Sequence, residues 1–379
     1  MDFTLSKEQE LIQKMAREFA QTQIAPMARQ IDESGKIPDG ILEGLAELDL
    51  FGIAFDEDYG GAGAGYDGYV LALEQIAKVS AGVGVTVAAH SLGLGAISKF
   101  GTDEQLKKYL TPACKGKQIA SFAFTEPGTG SDPVQITSTA ERQGDCFILN
   151  GTKRFISNAN YPGPIVVFAR ETGHEKVTAF IVEKLCPGYS LSEPWEKIGY
   201  RGGQVLDVYL KDVKIPAENL LGKSGQGFSV LLLGIALGKI GTSTIALGGI
   251  LAALELALQY AKEKTHRGQP IGKKFQSIQL KLAELKIQYE TAKLLCYRLG
   301  CLANDINDPG QFAAEAALVK AYVCDTVVRS AWLAMDVHGS YGVMRDLEIE
   351  RVYRDAVIGP QIEGVSDIQR VIVASSMMG

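Results

Sequence analysis

The sequence predicts an α+β chain of three domains in the order helical, β, helical. Three observations carry this. Apolar residues recur at three- and four-residue spacing up to about residue 115. Short β-rich runs with alternating polarity fill 116–225. Long helical stretches occupy 226–379 and are long enough to pack as an antiparallel bundle of about four helices. A length of 379 residues suits two or three domains. The expected boundaries are therefore 1–115, 116–225 and 226–379.

The first zone holds "EQELIQKMAREFAQTQIAPMARQI", "ILEGLAELDLFGI" and "YVLALEQIAKVSAG", with "DEDYGGAGAGYDG" (56–68) as a Gly-rich break. In the second, "CFILNGTKRFISN" places Asn150-Gly151 between β-formers, which predicts a hairpin. "PIVVFAR", "KVTAFIVEK" and "VLDVYLKDVKIP" are further strands. The third begins with the most apolar stretch, "VLLLGIALGKIGTSTIALGGILAALELAL". Lys239 interrupts it, so it reads as a buried core helix rather than a membrane span.

Hydrophobic residues make up 46% and charged residues 22%, with a net charge of −6, which is ordinary for a soluble globular chain. No Lys/Arg run stands out, so neither nucleic acid nor an anionic membrane is an expected partner. The six cysteines are scattered and form no CxxC, which argues against a disulfide frame or zinc site. The N-terminus opens on an amphipathic helix without an apolar signal core, and a cytoplasmic, reducing location is expected.

Several stretches can carry chemistry. In "QIEGVSDIQR" (361–370) the carboxylate of Glu363 follows an uncharged run and precedes Gly364. Burial there raises a carboxyl's pKa and makes a general base; the alternative is a solvated acid at the start of the helix "SDIQRVIVASSMM". "TEPGTGSD" (125–132) exposes backbone N–H groups and hydroxyls suited to phosphate or flavin oxygens, or is an ordinary turn cluster. In "KRFISN", Phe155 and Ser157 share a face if the run is a regular strand, and suit a flat ring as well as plain core. "THRGQPIG" (265–272) and "HGSYGVMRD" (338–346) fit a diphosphate, or are helix C-caps. His90 and His338 read as packed residues. No His/Cys cluster predicts a metal, no GxSxG predicts a hydrolase, and no GxGxxG follows a strand.

In combination these loops are specific. "DYGG", "TEPGTGSD", "NGTKRFISN", "LKDVKIPAENLLG", "QPIGKKFQ", "HGSYG", "ERVYRDA" and "IEGVSDIQR" follow in order along essentially the whole chain. The sequence resembles the flavin-dependent acyl-CoA dehydrogenases. The resemblance implies an N-terminal helical domain, a middle β-barrel domain and a C-terminal four-helix bundle. It implies α,β-dehydrogenation of an acyl-CoA thioester, with Glu363 removing the α-proton while the β-carbon passes hydride to flavin N5. The thioester oxygen would be stabilised by the Glu363 backbone N–H and a flavin hydroxyl. Some relatives carry the base on a bundle helix instead; the matching dipeptide here, Gly238-Lys239, has no carboxylate.

The same matching implies FAD contacts from Phe124, Thr125, Ser131, Phe155 and Ser157. It implies further contacts, to the diphosphate half of a neighbour's FAD, from Lys264, Arg267, Gln276, Asp336, Gly339 and Ser340, with Val365 and Asp367 beside the base. Ser131, Lys239, Ile362 and Gly364 are implied at the substrate. A homodimer at least, and usually a homotetramer, follows, with an electron-transfer flavoprotein as acceptor. The chain departs from the family pattern at Lys264, Arg267, Asp336, Ser340 and Val365, and Ile362 replaces a common Tyr, which suggests a branched or cyclic acyl group. The helical region 78–98 contains no Arg, which disfavours a dicarboxylyl substrate. The other readings are an acyl-CoA oxidase or monooxygenase of the same superfamily, and a non-catalytic CoA-binding homologue.

Overall fold

The computed structural model describes residues 4–173 and 176–378. The first helices are α1 (Lys7–Phe19), α2 (Ala28–Ser34), α3 (Asp39–Glu47), α4 (Gly65–Val79) and α5 (Ala81–Phe100), followed by short turns α6 (Asp103–Gln105) and α7 (Thr111–Cys114). Sequence sets their starts. The Ser6 hydroxyl accepts from the Gln9 N–H at 3.2 Å while the Gln9 carboxamide accepts from the Ser6 N–H at 2.9 Å, a capping box. The Ser80 hydroxyl caps α5 through the Val83 N–H.

The β domain comprises β1 (Ser121–Ala123), β2 (Thr139–Gln143), β3 (Cys146–Ser157), β4 (Pro164–Glu171), β5 (Val177–Glu183), β6 (Tyr189–Leu191), β7 (Val205–Pro216) and β8 (Leu220–Leu221). They form one eight-stranded sheet in the order β6-β7-β3-β2-β4-β5-β8, with β1 added parallel to β4. The hairpin expected at Asn150-Gly151 is not there. β3 runs straight through these residues, and the turn lies at Gly144-Asp145, where Gln143 pairs with Cys146. Asn150-Gly151 instead sits at a shift of register against β7, with Gly151 at φ +154 and Asn150 exchanging hydrogen bonds with Asp212. A glycine suits a bulge as well as a turn, and the β-formers around it do not distinguish the two.

The last domain holds α8 (Gly227–Glu263), a two-stranded excursion β9 (Thr265–His266) and β10 (Gln269–Pro270), α9 (Ile271–Lys274), α10 (Gln276–Asn304), α11 (Pro309–His338), α12 (Ile349–Ala356) and α13 (Ser366–Met378). Helices α5 and α8 are long and apolar enough to cross a membrane, yet 72% and 83% of those spans are buried inside the protein, so both are core helices. They run antiparallel: Gly234, Gly238 and Gly241 of α8 face Ala96, Leu92 and Ala88 of α5 in reverse order. One hydrophobic cluster joins the N-terminal helices to the bundle, a second joins α5 to the sheet, and a third fills the sheet's own interior.

Candidate active site

Glu363 lies in the segment between α12 and α13. Its backbone is left-handed at φ +53, and Gly364 follows at φ +81. The positive φ at 364 favours glycine, and a Cβ there would also press on the far end of the Gln369 side chain. Two donors fix the segment: Lys320 of α11 donates to the Gly364 carbonyl at 2.6 Å, and Gln369 donates to the same carbonyl at 3.0 Å. The carboxyl of Glu363 reaches over α8, where its Oε2 stands 3.1 Å from the point at which a Gly238 side chain would begin. Any larger residue at 238 would crowd it.

Burial raises the pKa of Glu363, and the ammonium groups of Lys239 and Lys320 work against that rise. Lys239, 3% exposed, is itself pushed down to about 8 by burial. The Glu363 residue is half-buried, with the two cations Lys239 and Lys320 near its carboxyl. Ile362 is half-buried against the large core cluster, Val365 is half-buried, and Asp367 is exposed and pairs with Arg370 at 3.0 Å.

A second group of expected residues gathers on the β domain. The carbonyl of Thr125 accepts from the Arg154 N–H at 2.7 Å, tying the 125–132 loop to β3. Glu126 of that loop is buried and accepts from the backbone and hydroxyls of Thr137 and Ser138 and from Lys153 at 2.7 Å. Burial pushes its pKa up, but Lys153 and these donors prevail and hold it down at about 2. Phe155 is not in regular strand geometry: φ is +60 at a second register shift, and its ring is 54% exposed. The bulge, not simple alternation, sets the faces of Phe155 and Ser157. Phe124 packs its buried ring on Phe168, Ser131 is exposed and Ser157 half-buried.

The two groups are linked through α5 and α12. Asn158, next to Ser157, donates to the Thr86 carbonyl of α5 at 2.9 Å. Leu92, which touches the same Gly238 spot as Glu363, lies six residues further along α5, about 9 Å. From the other side, Trp195 meets the Phe155 ring at 5.4 Å, and its loop is held to α12 by Asp355 accepting from the Tyr200 N–H at 2.6 Å and Arg354 donating to the Ile198 carbonyl at 3.0 Å.

The remaining expected residues lie elsewhere. Lys264, Arg267 and Gln276 surround the β9–β10 excursion, and Asp336, Gly339 and Ser340 end α11. These two segments meet: Lys264 lies 5.1 Å from the Tyr341 ring centroid, and the Tyr260 and His338 rings are 4.3 Å apart. Asp336 pairs with Lys281 at 2.5 Å, so its charge is balanced within the chain. From Lys239 to Glu263 the single helix α8 rises about 36 Å. Within one chain, Glu363 thus lies beside the first third of α8 while the expected diphosphate segments lie at its C-terminal end.

Residues 6–117 match the N-terminal domain of acyl-CoA dehydrogenases, 121–213 the middle domain and 225–378 the C-terminal domain. A probable acyl-CoA dehydrogenase of Bacillus subtilis (strain 168) is 37% identical over 383 residues, covering all of both chains. The chain belongs to the acyl-CoA dehydrogenase family. The structure of butyryl-CoA dehydrogenase from Megasphaera elsdenii superposes with a TM-score of 0.96 at 33% identity, again over all of both chains. An acyl-CoA dehydrogenase complexed with FAD from Bacillus anthracis superposes at 0.91, with 30% identity, over 99% of this chain and 67% of that one.

As a member of this family the protein is an oxidoreductase acting on CH–CH bonds, and its cofactor is FAD. The β domain fits that group. The exposed Phe155 ring offers a stacking surface, a Cβ at Gly128 or Gly130 would meet nothing within 4 Å, and the buried Thr129 hydroxyl of the same loop has no partner among the described residues. Sequence reasoning passed over Lys320, and Glu126 with Lys153. Lys320 was visible as a lone cation in the apolar run "AALVKAYVC"; the Glu126–Lys153 pair spans 27 positions and carried no local signal.

Proposed function

We propose that the protein dehydrogenates an acyl-CoA thioester to the 2-enoyl-CoA, with Glu363 as the base at the α-carbon. The observation that carries this reading is the placement of the Glu363 carboxyl over the glycine gap at 238, with its pKa raised by burial. The proton leaves the α-carbon for the Glu363 carboxylate as the bond to the β-hydrogen breaks and the double bond forms. Bound FAD supplies the two-electron acceptor for that hydride. Glu363 takes the proton best when ionised, and Lys239 and Lys320 favour that form. The Glu363 N–H donates to no carbonyl among the described residues, which leaves it free for the thioester oxygen as negative charge develops there. The left-handed backbone at 363–364, held by Lys320 and Gln369, keeps that N–H in place.

Thr125, Ser131, Phe155 and Ser157 hold the flavin end of the cofactor, and the segments around Lys264 and Ser340 serve the FAD of a neighbouring copy. The 36 Å separation along α8, about the rise of 24 helical residues, supports that division. It makes the working enzyme a homo-oligomer, a dimer or a tetramer. An electron-transfer flavoprotein is the acceptor that fits the family, and the cytoplasm is the compartment that fits six free cysteines. A panel of acyl-CoAs, scored by loss of flavin absorbance in the absence of oxygen, tests the reading. It predicts bleaching by at least one saturated acyl-CoA; no bleaching by any would refute it. Rapid peroxide formation on admitting air would assign the chain to oxidases instead.

A further inference from the structure

We infer that Lys184 is a positioning residue of the flavin site, whose ammonium fixes the 157–158 segment and favours the reduced, anionic form of the cofactor. The inference rests on the reading that Ser157 meets the flavin, and adds the charge behind that contact. Lys184 follows β5 directly and is 6% exposed. Its Nζ donates to the Ile119 carbonyl at 2.6 Å, the Asn158 carbonyl at 2.8 Å and the Ser121 hydroxyl at 3.1 Å. An ammonium has three donors, so all are used. The Ser121 hydroxyl donates in turn to the Ser157 carbonyl at 2.9 Å. Lys184 therefore holds the carbonyls of both Ser157 and Asn158, one through Ser121 and one directly. That segment needs holding. Phe155 and Asn158, on either side of Ser157, have left-handed backbones at φ +60 and +61. A residue other than glycine keeps such a conformation only where its surroundings enforce it.

Charge separates Lys184 from the other buried lysines. Among the described residues these are Lys153, Lys239 and Lys320. Lys153 has Glu126 at 2.7 Å, and Lys239 and Lys320 face Glu363. Lys184 is bonded to neutral oxygens alone. Glu183 beside it turns away, to Lys108 at 3.1 Å and the Tyr109 hydroxyl at 3.2 Å. From α5, His90 Nδ1 accepts from the Ala120 N–H at 2.9 Å, and burial together with Lys184 pushes its pKa down to about 3, so this ring is neutral. Burial pushes Lys184 itself down to about 7. A buried cation without a counter-charge is unfavourable, and an arriving anion offsets that penalty. A hydride from the β-carbon brings two electrons and one proton to the neutral flavin and leaves it with one negative charge. A unit charge felt across ~10 Å at an effective dielectric constant of about 20 shifts such an equilibrium roughly tenfold.

The test removes the charge from the FAD-loaded enzyme by Lys184→Met and by Lys184→Gln, whose amide keeps two donors for the carbonyls. The midpoint potential of the bound flavin is read by reductive dye titration without substrate at about pH 6, below the Lys184 pKa. Both variants are expected to favour reduced flavin roughly tenfold less than wild type, ~30 mV for a two-electron couple. They should converge with it as pH rises and wild-type Lys184 loses its proton. An unchanged midpoint in either flavin-loaded variant overturns the inference, whatever the loss of stability, because a mere strut serves oxidised and reduced flavin alike. If neither variant holds FAD, the wild type decides. Between about pH 7 and 8 its midpoint should fall by more than one proton per two electrons, since reduction then protonates Lys184 as well. One proton per two electrons throughout that range overturns the inference. A wild type that binds no FAD refutes the flavin reading itself, and the inference falls with it.

Discussion

For Glu363 as the proposed base, the charges facing it set the pH range of activity. Lys239 on α8 and Lys320 on α11 both favour its ionised form, and Cys324 and Asp325 lie beyond Lys320. Activity should therefore fall as pH drops through the raised pKa of Glu363. Replacing Lys239 by Met removes one cation, raises that pKa further and moves the acidic limb of kcat/KM to higher pH. Because Lys239 loses its own charge as pH rises through about 8, variant and wild type should converge above that value. A parallel pH profile, lowered by one factor throughout, would show that Lys239 does not act through Glu363. The placement of Glu363 beside α8 with a raised pKa agrees with what a lone acid after an apolar run, followed by glycine, suggested. Lys320 was not legible, because what gives it meaning is a carbonyl 44 residues away.

Helices and strands were mostly legible as elements, since the period of burial repeats the period of the backbone. The long helices α8, α10 and α11 coincide with the apolar stretches that predicted them. The hairpin at Asn150-Gly151 was misread because a glycine bulge and a glycine turn share their local chemistry. The same strand then displays Phe155 by a second irregularity. Beneath it, Lys153 and Glu126 pin the 125–132 loop with side chains 0% and 1% exposed. Lys153→Met leaves the Glu126 carboxylate buried without its cation, which costs about 3–5 kcal/mol. Chemical denaturation should report that loss, and the purified variant should retain less FAD. Stability within 1 kcal/mol of wild type, a limit far below that ~3–5 kcal/mol cost, would contradict the account of this pair.

At the scale of the whole molecule, the order α, β, α was plain from the sequence, while the separation of the two proposed cofactor regions became visible only in three dimensions. α10 carries Leu280, Ile287 and Leu294 at seven-residue spacing, 71%, 60% and 52% exposed, beside the segment that begins at Gln276. An apolar stripe of this kind suits a second copy of the chain. Ile287→Lys should shift sedimentation toward the monomer and lower FAD occupancy together; a monomeric variant with full FAD would contradict the shared cofactor. The central claim is narrower and has a direct measurement: anaerobic stopped-flow mixing of Glu363→Gln with an acyl-CoA that bleaches the wild type. The account predicts that the variant still binds the thioester while flavin bleaching slows by at least ~10²- to 10⁴-fold, the usual contribution of a positioned base. Bleaching at close to the wild-type rate would contradict it.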